Sequence, residues 1–144
     1  MDDLSDGALI VFDPKDYDWK EAEIQGSAKL ISVPLTEIVT SKNADRVMRN
    51  TVALGASVAL LGVDFEKLEN VIRDQFASKK QEITNSNLEM AKAGYDHIKN
   101  NYASVDYAYL SASKAQERLL NLNASEAVGL GAIHGGCRFA AIYP

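Results

Sequence analysis

Cysteine occurs once in this chain, at Cys137, so no internal disulfide can form and an iron–sulfur cluster, which needs several thiolates, cannot be housed here. Histidine is nearly as scarce: His97 and His134 lie far apart and lack the paired spacing of a zinc site, which argues against a metal centre. Positive charge is also short, with 15 Lys and Arg against 20 Asp and Glu, and the resulting net charge of −5 gives no electrostatic reason to bind nucleic acid or an anionic membrane. The longest uncharged run, Asn50 to Val63, falls short of the roughly 20 apolar residues of a membrane span and contains Asn50, Thr51 and Ser57. It reads as a buried helix. The N-terminus, MDDLSDG, is acidic where a secretory signal is basic, so the expected compartment is the cytoplasm. No internal repeat is visible, which excludes a solenoid.

What is present is enough apolar sequence for a core: 47% hydrophobic residues beside 24% charged ones is the balance of a soluble globular protein. Ala8 to Phe12 is a continuous apolar run closed by Asp13-Pro14, the pattern of a strand covered on both faces. Lys29 to Val33 is a second short strand, ended by Pro34. The acidic stretch between them, Asp16 to Ser27, reads as a loop or edge segment. These two strands set an α/β beginning.

Helical spacing follows. Val47, Thr51, Leu54, Val58 and Leu61 recur on one face, and Gly55 with Ala59 offers a neighbouring backbone a close approach. Asp64 stands where an N-cap belongs, ahead of the stripe Phe65, Leu68, Ile72 and Phe76. A third helix carries Leu88, Ala91, Tyr95 and Ile98 on one side; Gly94 within it weakens it by about 1 kcal/mol and asks for a packing reason. Asn100 to Leu110 lacks a clear period and reads as a connector, and Ser111 to Asn123 reads as a tether between folded units. The last stretch, Ser125 to Pro144, predicts a compact helix, a glycine break and a short strand with nothing after it. Such an ending resembles the opening of a further domain, and the chain is expected to be a piece of something larger.

Few residues suggest chemistry by themselves. Gly129, Gly131, Gly135 and Gly136 supply the glycines of a phosphate cradle, but in or after a helix and before a strand, the reverse of the dinucleotide fingerprint; Gly135-Gly136 is more simply a helix C-terminal break. Cys137, near His134 and Arg138, reads as a buried cysteine at the start of a strand in preference to a nucleophile. Asp2-Asp3 and Asp16 with Asp18 read as solvated loop carboxylates, and Glu126 as a carboxylate favoured by a helix N-terminus. Arg49-Asn50 reads as a solvated helix start, with contact to a partner subunit as the alternative. No catalytic set assembles.

Several segments nevertheless resemble one family in order along the chain: Val33-Pro34-Leu35-Thr36-Glu37-Ile38, the helix Arg49 to Ala56 (RNTVALGA), Asn87, and Gly94-Tyr95. Glu126-Ala127, Leu130-Gly131-Ala132, Gly136-Cys137-Arg138-Phe139 and Tyr143-Pro144 continue the likeness. Together they resemble the 2-oxoacid:ferredoxin oxidoreductases, in particular the end of the gamma domain joined to the start of the alpha, pyrimidine-binding domain. The order of the two resembles the 2-oxoglutarate branch. Ala124-Ser125 departs from the usual Gly-Asn, and the chain ends before the family's Ile-Thr-Pro.

The resemblance implies an α/β fold: residues 1–105 as the second half of a parallel-sheet gamma domain with a helical C-terminal part, 106–123 as a linker, and 124–144 as the first helix and strand of a second α/β domain. It implies an enzyme that oxidatively decarboxylates a 2-oxoacid to an acyl-CoA and passes electrons to ferredoxin. Thiamine diphosphate, magnesium, iron–sulfur clusters and coenzyme A would serve the whole enzyme, none bound by this chain alone. The implied partners are a beta subunit and ferredoxin in a homo- or hetero-oligomer. Tyr143 and Pro144 would stand at the edge of the cofactor-binding motif, with no catalytic or metal-binding residue in this segment. The contrasting expectations are a stand-alone interaction domain using the exposed faces of the Arg49 and Gln81 helices, and a small nucleotide-binding module using the glycines of the tail.

Overall fold

The structure, a computed structural model, describes residues 7–18, 28–103 and 122–141. The chain divides into two compact units, Met1–Ser111 and Ala112–Pro144. Apart from Leu122 and Asn123, the expected linker lies outside the described residues.

The first unit begins with two strands, β1 (Leu9–Phe12) and β2 (Lys29–Ser32), paired in parallel with Leu9 opposite Lys29 and Phe12 opposite Ser32. Both match the expected runs. Coverage differs between them. Ile31 and Val33 are fully buried, whereas Val11 is 37% exposed, so β1 is not enclosed on both faces as its unbroken apolar sequence suggests. Among the described residues the sheet has only these two strands, which leaves one flank of β1 without a cover.

Among the described residues of this unit four helices follow: α1 (Leu35–Ser41), α2 (Arg49–Leu60), α3 (Phe65–Gln75) and α4 (Gln81–Asn101), with a 3-10 turn at Arg46–Met48 leading into α2. The central packing is α2 against α4. Its buried side on α2 is Val52, Gly55, Ala56, Ala59 and Leu60, whereas Val47 and Leu54 are 67% and 47% exposed and Leu61 is exposed as well. The expected stripe therefore corresponds to the less buried side. Size explains the reversal: helix backbones that approach this closely exclude large side chains and select Gly and Ala. A Cβ on Gly55 would lie 1.9 Å from the Ala91 carbonyl oxygen, and one on Gly94 2.0 Å from that of Val52. The two glycines thus seat each helix on the other's backbone, which is the packing reason for Gly94.

Around this crossing, Ile31, Val33, Ala56, Ala59, Leu60 and Ile98 form one buried cluster, and Val39, Val52 and Met90 another. The α3 stripe packs as its spacing predicts, with Leu68 and Ile72 buried beside Ala91 and the rings of Phe65 and Phe76 against them. Phe65 meets Tyr95 edge-on at 5.3 Å between centroids. Asp64 does occupy the N-cap position of α3, but its side chain makes no capping bond. The connector expected from Asn100 begins later than its sequence suggests: Asn100 and Asn101 belong to α4, and Tyr102 docks on β2 through its hydroxyl.

The second unit contains α5 (Ala124–His134). Asn123 and Glu126 form a reciprocal capping box: the Glu126 amide donates to Asn123 Oδ1 and the Asn123 amide to Glu126 Oε2, both at 2.9 Å. The helix stops at Gly136, whose φ of 87° suits glycine, as the amides of Gly136 and Cys137 close back on the carbonyls of Ile133 and Ala132. The short strand expected next is not found over residues 137–141. These residues are exposed and have no ladder partner, and a strand exists only when paired.

Candidate functional site

In open α/β sheets ligands bind beyond the carboxyl ends of the strands, and in this unit that region is organised by Asp13. Asp13 follows β1 directly and is 4% exposed. Its Oδ1 accepts from the Lys15 amide at 3.0 Å, while Oδ2 accepts from the Thr36 amide at 2.8 Å, the Thr36 hydroxyl at 2.7 Å and Arg49 Nη2 at 3.2 Å. Pro34 stands at the N-cap of α1 and has no side-chain oxygen to offer, so the Asp13 carboxylate just after β1 caps that helix in its place. Burial pushes the Asp13 carboxyl up. The Thr36 hydroxyl, the Lys15 and Thr36 amides and the Arg49 guanidinium outweigh it, and the pKa lies below the ordinary carboxylate value.

Arg49 opens α2 and is bonded to Asp16 as well as Asp13. The hydrogen bond to Asp16 is the main reason that its pKa is raised, against the opposing effect of burial, and the charges of Asp16 and Asp13 add to it. Arg49 is therefore held by the fold and does not read as a solvated helix start, while Asp16 is exposed as expected of a loop carboxylate but is paired with Arg49. A loop charge and a helix charge 33 positions apart find each other only in the fold, so spacing could not reveal them. A groove of about 540 Å³ opens beside this cluster, between Asp13-Pro14-Lys15 and the α1 residues Glu37, Thr40 and Ser41. Its charged neighbours are already paired or solvated, which leaves a surface fitted for docking more than for chemistry.

The other candidates separate. His97 places Nε2 at 3.0 Å from the Ser32 carbonyl oxygen in the first unit, while His134 ends α5 in the second. Among the described residues no three His, Cys, Asp or Glu side chains gather as a metal site. Cys137 is exposed, contrary to the buried reading, and its thiol donates to the Phe139 carbonyl at 3.2 Å. No strand forms there to bury it. Gly129 and Gly131 lie inside α5, and the amides of Gly135, Gly136 and Cys137 close the helix end, so the glycines provide no phosphate cradle. Glu126 serves the capping box. Asp18 is exposed; Asp2, Asp3, Tyr143 and Pro144 lie outside the described residues.

The segments of the first unit that carried the resemblance meet one another. Thr36 and Arg49 share Asp13, Gly55 and Gly94 hold the helix crossing, and the Thr51 hydroxyl bonds Asn87 Oδ1 at 3.1 Å while Asn87 Nδ2 donates to the Ile83 carbonyl. Tyr95 donates its hydroxyl to the Val63 carbonyl. The family model described as "Pyruvate ferredoxin/flavodoxin oxidoreductase" matches residues 1–97, the stretch that contains this framework. The chain belongs to that family.

Individual relatives agree with the family match. It is 25% identical over 128 residues to 2-oxoacid:ferredoxin oxidoreductase 2, subunit alpha, of Aeropyrum pernix, covering 83% of this chain and 20% of the relative. It is 33% identical over 98 residues to 2-oxoacid:ferredoxin oxidoreductase 1, subunit alpha, of Sulfurisphaera tokodaii, covering 67% and 14%. Among solved structures, the 2-oxoglutarate:ferredoxin oxidoreductase of Magnetococcus marinus, with 2-oxoglutarate, coenzyme A and succinyl-CoA bound, matches with a TM-score of 0.78 and 26% identity over 94% of this chain and 23% of that one. The chain thus spans between 14% and 23% of the length of these relatives. The iron–sulfur cluster and the magnesium ion that the resemblance implies find no fit among the described residues: one thiol cannot hold a cluster, and the carboxylates of Asp13 and Asp16 face Arg49 instead of an open cation position. No described helix is long and apolar enough to cross a membrane.

Proposed function

We propose that this chain is part of a subunit that oxidatively decarboxylates a 2-oxoacid, transfers the acyl group to coenzyme A and passes the electrons to ferredoxin, with 2-oxoglutarate as the acid. The observation that carries the reading is the match of 94% of the chain to the structure of a 2-oxoglutarate:ferredoxin oxidoreductase. Thiamine diphosphate with magnesium would supply the carbanion chemistry and iron–sulfur clusters the electron path, all held by other parts of the enzyme. This segment acts as scaffold and interface. Its buried Asp13 ties the end of β1 to α1 and α2, and the outward-turned Val47 before α2 and Leu54 on it suit a neighbouring subunit or domain.

In this reading residues 1–105 complete a gamma domain, 106–123 link it onward, and 124–144 open the pyrimidine-binding domain with Tyr143 and Pro144 at the edge of its cofactor motif. The partners are a beta subunit and ferredoxin in a cytoplasmic oligomer. The test is an assay of the native enzyme containing this chain for ferredoxin reduction with 2-oxoglutarate or pyruvate, with and without coenzyme A. Coenzyme A-dependent reduction with 2-oxoglutarate is expected. Turnover of pyruvate alone would overturn the substrate, and no turnover with either acid would overturn the activity.

A further inference from the structure

We infer that His97 and Tyr102 form a clasp on the Ser32 backbone that sets where α4 ends, and with it the length of chain that continues toward the second unit. This conformational device stands apart from the oxidoreductase reading and holds whichever acid the enzyme uses.

Local sequence does little to sustain the end of α4. After Ile98, which is fully buried with Ile31 and Val33, come Lys99, Asn100 and Asn101, all exposed, and asparagine is a poor helix former. Lys99 Nζ lies 5.6 Å from the centre of the Tyr95 ring, an exposed contact that adds little. Helix ends of this kind fray. Yet α4 runs on to Asn101, and the Tyr102 amide still donates to the Ile98 carbonyl at 2.9 Å.

The added hold comes from β2, 70 positions earlier in the chain. The Ser32 amide donates to the Tyr102 hydroxyl at 2.9 Å, and that hydroxyl donates to the Ser32 carbonyl at 3.1 Å. One phenol thus answers both backbone polar groups of one residue, which requires an oxygen that accepts and donates at once. His97 Nε2 lies 3.0 Å from the same carbonyl oxygen, which can only accept, so the ring proton sits on Nε2 and fills the second lone pair. Asn101 secures the ring from the other side: its Nδ2 donates to the His97 carbonyl at 2.8 Å and stands 3.4 Å from His97 Nδ1, which is left as an acceptor. Ser32 ends β2 between the fully buried Ile31 and Val33, so the clasp fastens the helix end to the core. With the clasp shut, the chain is held as far as Tyr102; with it open, the last anchor is Ile98. Residues 99–102 would then add at most about 14 Å to the reach of the chain beyond.

The Tyr102→Phe variant keeps the ring that packs against the core and removes only the hydroxyl. In residue-resolved hydrogen exchange on the native enzyme containing this chain, the Ser32 and Tyr102 amides are expected to exchange on the order of 10-fold faster in the variant. The Val33 amide, which donates to the Phe12 carbonyl, should be unchanged, and trypsin cleavage after Lys99 should accelerate by a similar factor to Ser32 exchange. Equal Ser32 exchange in parent and variant would overturn the clasp. So would an equal rise at Val33, because the whole strand would then have loosened. A freed Ser32 amide with unchanged Tyr102 exchange and unchanged cleavage after Lys99 would overturn control of the helix end. His97→Gln should leave the Ser32 amide within about 3-fold of the parent, since the phenol remains its partner, while cleavage after Lys99 accelerates. A Ser32 amide freed there as much as in Tyr102→Phe would refute the role of the phenol.

Discussion

Two pairs of helical glycines behave in opposite ways. Gly55 and Gly94 are pressed against the backbone of the opposite helix, whereas a Cβ at Gly129 or Gly131 would meet nothing within 4 Å. The first pair is required by a contact; the second has no described residue across it. Val128, Ile133 and Phe139 in that unit are all more than two-thirds exposed. A glycine in a helix therefore carries information about packing only together with the element that lies across it. The larger unit contains its own reasons for its sequence, and the smaller one does not.

Substitutions can break this contrast. Gly94→Ala should have the largest effect, because the new methyl has only backbone to push against: a loss of roughly 3 kcal/mol or more, read as a fall in the denaturation midpoint. A loss below about 1 kcal/mol would show that the crossing relaxes and that the contrast is weaker than its geometry. Asp13→Asn comes next, at about 2 kcal/mol, since it weakens the bond to Arg49 and the cap on α1 together. Its pH dependence has a definite sign. The folded pKa of Asp13 is depressed, so its stabilisation is present above the ordinary carboxylate pKa and disappears as pH falls through the lower folded value. Melting temperatures followed into acid should therefore decline less steeply in Asp13→Asn than in the parent, and parallel declines would refute the assignment.

In the smaller unit the expected effects are modest. Asn123→Ala should reduce the stability of α5 by about 1 kcal/mol, seen as faster exchange in its first turn, with the melting of the larger unit unchanged. Gly129→Ala should have the smallest effect and the opposite sign, a gain of about 0.8 kcal/mol in helix stability visible by circular dichroism. A loss there would mean that a close neighbour covers α5 in solution, and the two units would then be alike in what their glycines do.

The parallel strands, the α3 stripe and the glycine stop after α5 were legible because each depends on a local pattern. The face of α2 was misread for a physical reason: the heptad-like row of Val47, Leu54 and Leu61 is the more hydrophobic one, but the tight crossing with α4 favours the side with Gly55, Ala56 and Ala59. Asp13 was recognised only as the end of a strand, since its partners Thr36 and Arg49 are 23 and 36 positions away. The Asn123-x-x-Glu126 spacing could have revealed the capping box from sequence alone. The resemblance, in turn, identified residues whose visible work is mechanical support, which is why it located a family without locating a reaction.

The borrowed cap on α1 has one more consequence. A helix of seven residues is too short to persist by itself in water, and its first turn is held by a carboxylate that stands just after β1. Its first turn is consequently conditional: a shift at the end of β1 reaches it through the Asp13 side chain, while Val39 anchors the rest of the helix in the core. Amide exchange along α1 in Asp13→Asn would report that dependence directly, and an unchanged first turn would show that the helix stands without its distant support.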